Sequence, residues 1–360
     1  MKKNYKRNWL FKFKSALVVV SFLVSGTAMA QLSGNYTVNS NSTSGGTNFA
    51  SFSDLSDSIS ALGVSGPVVV DVVAGSGPYS EQVTFSTNNL ADSISTSAVN
   101  TITINGNGEE INTAGSYLNR SVIRLNGASH MKFDNLKIVA NGTGNGTRCF
   151  TIQNNSDSNT ISNSDLMIPN YSGTSASTAY ISFNKSNTGR SSGDHGSGNL
   201  IENNHMTNGT STTNGPYYGV DDSRSSTSRS VGNSIISNTI EDFRSAGVYL
   251  RYVDGFKVNK NILLNNSKQL STSGWWGPIV AEVYGIYALY CNAEDSMQIN
   301  SNMMNPAIMN NGYVGIFMSV ITGDTAVVEV NNNEVKDITV DWSYFNGIYI
   351  RGSKNLEAKN

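Results

Sequence analysis

Five short stretches of the chain repeat one frame: "IENNHM" (201–206), "IISNTI" (235–240), "VNKNIL" (258–263), "INSNMM" (299–304) and "VNNNEV" (330–335). In each, an Ile or Val is followed three places on by Asn204, Asn238, Asn261, Asn302 or Asn333, and five places on by another apolar residue. A recurring frame of this kind points to a stacked repeat fold, in which each unit covers its neighbour's apolar surface. A second alignment gives the period. Glycines open alternating strands at "GVDD" (Gly219), "GVYLR" (Gly247), "GIYAL" (Gly285), "GIFMS" (Gly315) and "GIYIR" (Gly347), in steps of 28, 38, 30 and 32 residues. Each unit reads as a strand, a loop, a second strand ending in the Asn frame, and a third short strand.

Three strands per turn, with every strand paired to its counterparts in the coils above and below, describe a parallel β-helix. The alternation of apolar residues would face a narrow interior. Asn at the corner between the second and third strands suits a left-handed backbone conformation. Stacking at about 4.8 Å would also bring successive side-chain amides into a hydrogen-bonded ladder.

Ahead of the coils, "MKKNYKRNWLFKFK", "SALVVVSFLVSG" and "TAMAQ" form a basic region, a short apolar region and an Ala28-Met29-Ala30 site. This is the pattern of a secretory signal covering residues 1–30. The apolar run Ala16–Val24 is shorter than the roughly 20 residues a bilayer span needs, and no later segment is longer and apolar. Residues 31–49 read as a polar entry segment. In "FASFSDLSDSISALG", Phe52, Leu55, Ile59 and Leu62 fall at helical spacing and Gly63 is a stop, so a cap helix is expected over 50–62. "GPVVVDVVAG" and "GPYSEQVTF" read as the first strands. The helix domain would occupy 50–360. The last coil stops in "LEAKN" without a recognisable cap, so further coils are expected beyond Asn360.

The Gly-led strands and Asn corners resemble the right-handed parallel β-helix superfamily, the pectin-lyase-like fold, over roughly residues 64–360. The segment from "FSDLSDSISALG" to "SEQVTF" resembles the cap helix and first coil of pectin methylesterases. It is similar, too, to the amino-terminal coils of large secreted surface proteins of Bacteroidetes-type bacteria. That resemblance implies an all-β, right-handed solenoid with an amino-terminal cap helix, displayed outside a bacterium. It further implies a saccharide groove over the sheet made by the Gly-led strands.

Charge narrows the partners. The chain has 24 basic and 26 acidic residues, and residues 1–30 carry six of the basic ones and no acid. The remainder holds 24 − 6 = 18 basic and 26 acidic residues, a net of −8. Such a surface does not attract phosphate backbones, which argues against nucleic acid. The two cysteines, Cys149 and Cys291, fall several coils apart and are expected as free thiols. They offer no paired metal-ligand spacing.

Residues two after the aligned glycines point outward: Asp221, Tyr249, Tyr287, Phe317 and Tyr349. Two further on stand Ser223, Arg251, Leu289, Ser319 and Arg351. The aromatic column reads either as a sugar-binding floor or as a structural ladder of stacked rings. Groove walls would come from 185–198, 223–230 and 267–284, the last carrying Trp275 and Trp276 as a binding lip or a plug. For catalysis the paired acids Asp221 and Asp222 are the best candidates, with Arg251 and Arg244 nearby. Asp222 falls at an inward position of the alternation. Of the polygalacturonase motifs only a paired Asp has a match, and the nearest His motif is "DHG" at His195, on an earlier coil. His130 and His205 read as structural. No cofactor is evident, although a lyase would bring a calcium held by acids. Two functions stay open: a non-catalytic, adhesin-like module contacting polysaccharide, and a polysaccharide lyase or glycoside hydrolase.

Overall fold

The computed structural model describes residues 31–87, 95–115, 119–144, 146–171, 175–184, 195–209, 215–265, 272–274, 277–279, 283–292, 296–306, 308–309, 312–321, 328–337, 339–340 and 345–352. Residues 1–30, expected from the sequence to be a secretory signal, and residues 353–360 lie outside that set.

Three parallel sheets wind as a right-handed β-helix, with short strands following one another sheet by sheet. We call them A, B and C. In one coil the chain passes from sheet C (Tyr218–Ser223) to sheet A (Ser234–Ile236) and sheet B (Thr239–Glu241), then returns to sheet C (Ala246–Arg251).

Each sheet sends inward columns into the core, and one from each traces the repeat. On sheet A, Val70, Ile104, Phe133, Ile161, Ile201, Ile235, Val258, Ile299 and Val330 are in register. On sheet B the column is Ile111, Ile138, Leu166, Met206, Ile240, Leu263, Met304 and Val335. On sheet C it is Val83, Ile123, Phe150, Ile181, Val220, Val248, Ile286, Ile316 and Ile348. The repeated frame is therefore an inward residue of sheet A, a corner Asn, and an inward residue of sheet B.

The corner amides form the expected ladder. Asn204 Nδ2 donates to Asn238 Oδ1 at 3.0 Å, Asn238 to Asn261 at 3.1 Å, Asn261 to Asn302 at 3.0 Å and Asn302 to Asn333 at 2.9 Å. Each Oδ1 also accepts the backbone N–H of the preceding ladder member. Each Nδ2 also reaches a carbonyl of the coil before, such as Ile235 O for Asn261 at 2.9 Å. Ser164 holds the same position one coil earlier, where its N–H donates to Asn204 Oδ1.

The left-handed residue is not the ladder Asn, as the sequence suggested, but the one before it. Asn203, Ser237, Lys260, Ser301 and Asn332 have φ of 56°, 58°, 59°, 58° and 54°. The positive φ makes the corner, and the following Asn, off the left-handed region, turns its amide along the stack.

The glycine column has a steric cause. A Cβ on Gly285 would stand 2.6 Å from Gly315 O and 2.7 Å from Met304 Sδ, and one on Gly315 would meet Gly347 O at 2.5 Å. These glycines let sheet C approach the inward side chains of sheet B.

At the amino end, helix Phe52–Leu62 has Ser51 as N-cap and Gly63 as C-cap, and it buries Phe52, Leu55 and Ile59. The carboxylate of Glu81 accepts the N–H groups of Phe52 and Ser53, a favourable placement at a helix amino terminus. The supposed entry segment is partly sheet: Leu32–Val38 pairs in parallel with Val64–Val72 and with Asn48–Phe49. Polar alternation hid this strand, since only Leu32 and Val38 are buried in it. Cys149 and Cys291 are buried free thiols. Burial raises both pKa values, that of Cys291 up to about 12.

Two outcomes follow. Asn261→Leu removes the acceptor for two Asn238 donors and leaves them buried, a loss of about 3 kcal/mol or more. Asn333→Ala, at the half-buried end of the ladder, should cost about 1 kcal/mol; urea midpoints of the two variants measure the difference. At pH 8 both thiols should remain protonated, so thiol alkylation should proceed only as fast as the chain unfolds.

Candidate functional site

The outer face of sheet C changes character along the helix. One outward column runs in register through Arg124, Thr151, Ser182, Asp221, Tyr249, Tyr287, Phe317 and Tyr349. Thr151, Ser182 and Asp221 are buried on this outer face. From Tyr249 onward the column is aromatic and half-exposed, reaching 46% exposure at Tyr349.

The rings stack on one another. Tyr249 and Tyr287 have centroids 5.1 Å apart and planes 6° apart, Tyr287 and Phe317 4.7 Å and 11°, and Phe317 and Tyr349 5.5 Å and 18°. Tyr284 packs edge-on against Tyr287 and Phe317 at 4.5 and 5.9 Å. Tyr218 closes the other end, 4.7 Å from Tyr249. The parallel register dictates this, because identical positions in successive coils lie about 4.8 Å apart, close to ring-stacking distance. Both faces of Tyr287 and of Phe317 are covered by neighbouring rings. A ligand on this face meets ring edges and phenol hydroxyls rather than flat ring faces.

The paired aspartates separate. Asp221 belongs to the outward column beside Tyr249, with 2% exposure. Asp222 is in register with Phe183 and Leu250 and faces the interior. There Arg224 Nε donates to its Oδ1 at 2.7 Å, while Asn233 Nδ2 and Ser230 Oγ reach Oδ2 at 2.8 and 3.1 Å. Arg224, two residues on along the same face, is fully buried; it also donates to Gly196 O at 2.6 Å and lies over Phe183. A carboxylate so engaged, with 1% exposure, has no path to a groove ligand.

The reason for this buried pair is a second ladder that the sequence reading missed. Asn159, Asn199 and Asn233 stand at the corner from sheet C to sheet A. Asn159 Nδ2 donates to Asn199 Oδ1 at 3.1 Å, and Asn199 Nδ2 to Asn233 Oδ1 at 3.3 Å. One coil later Phe256, ahead of Lys257 in the register, takes the place of the next Asn. Asn233 therefore has no following amide, and Asp222 accepts its N–H instead. The signal was present: Asn stands two residues before the inward Ile161, Ile201 and Ile235.

The remaining candidates are dispersed. Arg251 is half-buried, one coil beyond Ser223, and lies over the ring of Tyr252 at 4.9 Å. Arg244 follows the sheet B strand and is buried, and its N–H donates to Pro216 O. Desolvation lowers its guanidinium pKa, while the phenols of Tyr171 and Tyr217 push the other way. Trp275 and Trp276, and most of the expected wall 185–198, lie outside the described residues. His130 is a left-handed corner residue, and His205 stands on the outer face of sheet B between Asp165 and Glu241 at 3.4 and 3.5 Å. His195 is buried, and its carbonyl accepts from Ser156. Among the described residues no three His, Cys, Asp or Glu side chains converge as a metal site.

Removing one member of the buried pair should be more harmful than removing both. Arg224→Leu leaves Asp222 uncompensated and should cost about 3–5 kcal/mol in denaturant titrations. The double change Asp222→Asn with Arg224→Leu should recover part of that loss.

No protein-family model matches the chain, and no curated protein matches it. Among solved structures, the chain is similar to a GH136 lacto-N-biosidase from Eubacterium ramulus, at 11% identity and a TM-score of 0.49. That match covers 95% of this chain and 71% of the other. It is also similar to the enzymatically active domain of tailspike protein 2 of Bacteriophage CBA120, at 11% identity and a TM-score of 0.36. There the match covers 90% of this chain and 47% of the other.

Proposed function

We propose that this protein is a secreted or surface-displayed β-helix module that contacts polysaccharide through the outer face of sheet C, in the manner of an adhesin. The observation that carries the reading is the half-exposed aromatic column: the stacked rings fix their own positions, so the phenol groups of Tyr249, Tyr287 and Tyr349 are held in place, with Phe317 between the last two. Preorganised hydroxyls on a rigid sheet lose little entropy on meeting a ligand rich in hydroxyls. Export rests on the basic and apolar start of the chain and its Ala28-Met29-Ala30 site. Among the described residues no helix is long and apolar enough to cross a membrane.

The separated aspartates favour a non-catalytic role. A two-carboxylate glycosidase mechanism needs both groups to reach the same scissile bond, and Asp222 faces the interior. A glycoside hydrolase or lyase is the second reading, and one feature favours it. Asp221 is a nearly fully buried carboxyl on the groove side, beside Tyr249. Such an enzyme should lose a hundredfold or more of its activity in Asp221→Asn.

Binding to immobilised polysaccharides tests the first reading. Tyr287→Phe keeps the stack and removes one hydroxyl, so it should weaken retention about fivefold, the value of roughly 1 kcal/mol for one hydrogen bond. Retention indifferent to Tyr287→Phe and to Tyr249→Phe, or release of reducing or unsaturated ends from the same polysaccharides, would refute a non-catalytic tyrosine platform.

A further inference from the structure

Arg224, Arg229 and Arg251 differ in their partners. Arg224 has the carboxylate of Asp222 at 2.7 Å and Arg229 has that of Asp254 at 2.8 Å. Arg251 has neither. Among the described residues no acid pairs with it, and its Nε has no hydrogen-bond partner although the side chain is half-buried. Desolvating a guanidinium without an anion is unfavourable, so the geometry must hold it there for another reason.

That geometry is specific. Tyr252 directly follows the strand Ala246–Arg251 in a left-handed conformation, φ 56°, which bulky residues seldom adopt. Its ring carries Arg251 at 4.9 Å and Arg229 at 5.4 Å, and it stacks on Tyr290 at 5.2 Å. Tyr290 is also left-handed, φ 54°, and is 39% exposed. Arg229 is anchored, with Nη1 donating to Asp254 and to the carbonyl of Tyr290. Two strained tyrosines and one tethered arginine thus build a platform that supports Arg251. Arg251 is two residues from Tyr249, on the same face. Its register column continues through Leu289 and Ser319 to Arg351, an exposed second arginine about 14 Å along the axis at the spacing of parallel strands.

We propose that Arg251, supported on Tyr252, binds an acidic substituent, a carboxylate or a sulfate ester, on the glycan that lies along the tyrosine column, with Arg351 taking a second such group further along the chain. This rests on the glycan-contacting reading above and adds the class of ligand. A guanidinium placed over a ring, as Arg251 is at 4.9 Å, keeps N–H groups for bidentate recognition of a planar or tetrahedral anion. A chain whose net charge is −8 after residue 30 would not retain polyanions by its overall field. Retention of an acidic glycan would have to come from a local site.

The test uses the exported chain on three surfaces that share one backbone: dextran, carboxymethyl-dextran and dextran sulfate. Binding should be stronger to one or both charged surfaces, should weaken with salt, and should fall about tenfold in Arg251→Gln and less in Arg251→Lys. Lys132→Gln, on the outer face of sheet A, serves as the control for general charge and should bind as the parent does. The preferred surface separates a carboxylate from a sulfate ligand. Equal losses in Arg251→Gln and Lys132→Gln, or no preference for charged dextran, would overturn the acidic-ligand assignment. If binding to neutral glycans stayed sensitive to Tyr287→Phe in that case, the platform reading would survive it. If no glycan bound at all, both would fall.

Discussion

The amide ladder at the corner between sheets A and B governs the rest of this structure. A short parallel strand has little to fix its register, and a slip of one residue would turn every inward side chain outward. Asn resolves that ambiguity because its side chain carries both an acceptor and donors. Each Oδ1 takes two N–H groups from the previous coil's ladder member, and each Nδ2 passes the pattern on. A coil displaced by one residue would present the wrong group to this column and leave several buried donors without acceptors. The apolar residues three before and two after the Asn are then fixed as inward positions of sheets A and B.

Interrupting such a ladder has a visible consequence. At the corner from sheet C to sheet A the amides stop at Asn233, where Phe256 replaces the next member, and the structure responds by burying a charge. Asp222 accepts from Asn233, and Arg224 compensates Asp222 at 2.7 Å. Asp222 sits on the inward face of a strand whose neighbours carry Phe183 and Leu250, and Arg224 directly follows that strand. The same register that stacks amides on the inside stacks tyrosines on the outside. The outer aromatic column and the inner amide column are thus two results of one repeat spacing.

Much of this was legible in the sequence. The recurring frame identified the corner, and the aligned glycines placed Tyr249, Tyr287, Phe317 and Tyr349 on one outer face. The alternation put Asp222 inside. The reading misassigned the left-handed residue because the residues before the ladder include Ser237, Lys260 and Ser301, types that do not announce a positive φ. It missed Leu32–Val38 because a strand at the end of the solenoid has little apolar alternation to show. The partner of Asp222 was within reach, since Arg224 lies two places on and alternation puts it on the same face. What sequence alone could not supply was that ring faces in the tyrosine column would be consumed by stacking. That depends on interplanar angles, and it changes how the face can meet a sugar.

The most direct measurement is hydrogen exchange of the Asn side-chain amides, resolved by NMR on the folded protein. The ladder predicts that the Nδ2 protons of Asn204, Asn238, Asn261 and Asn302 exchange as slowly as the backbone amides of the strands flanking them. Protection should decline at Asn333, where the ladder is only half-buried. Side-chain amides that exchange at the rate of free asparagine, while the neighbouring backbone stays protected, would show that the ladder does not hold these coils in register.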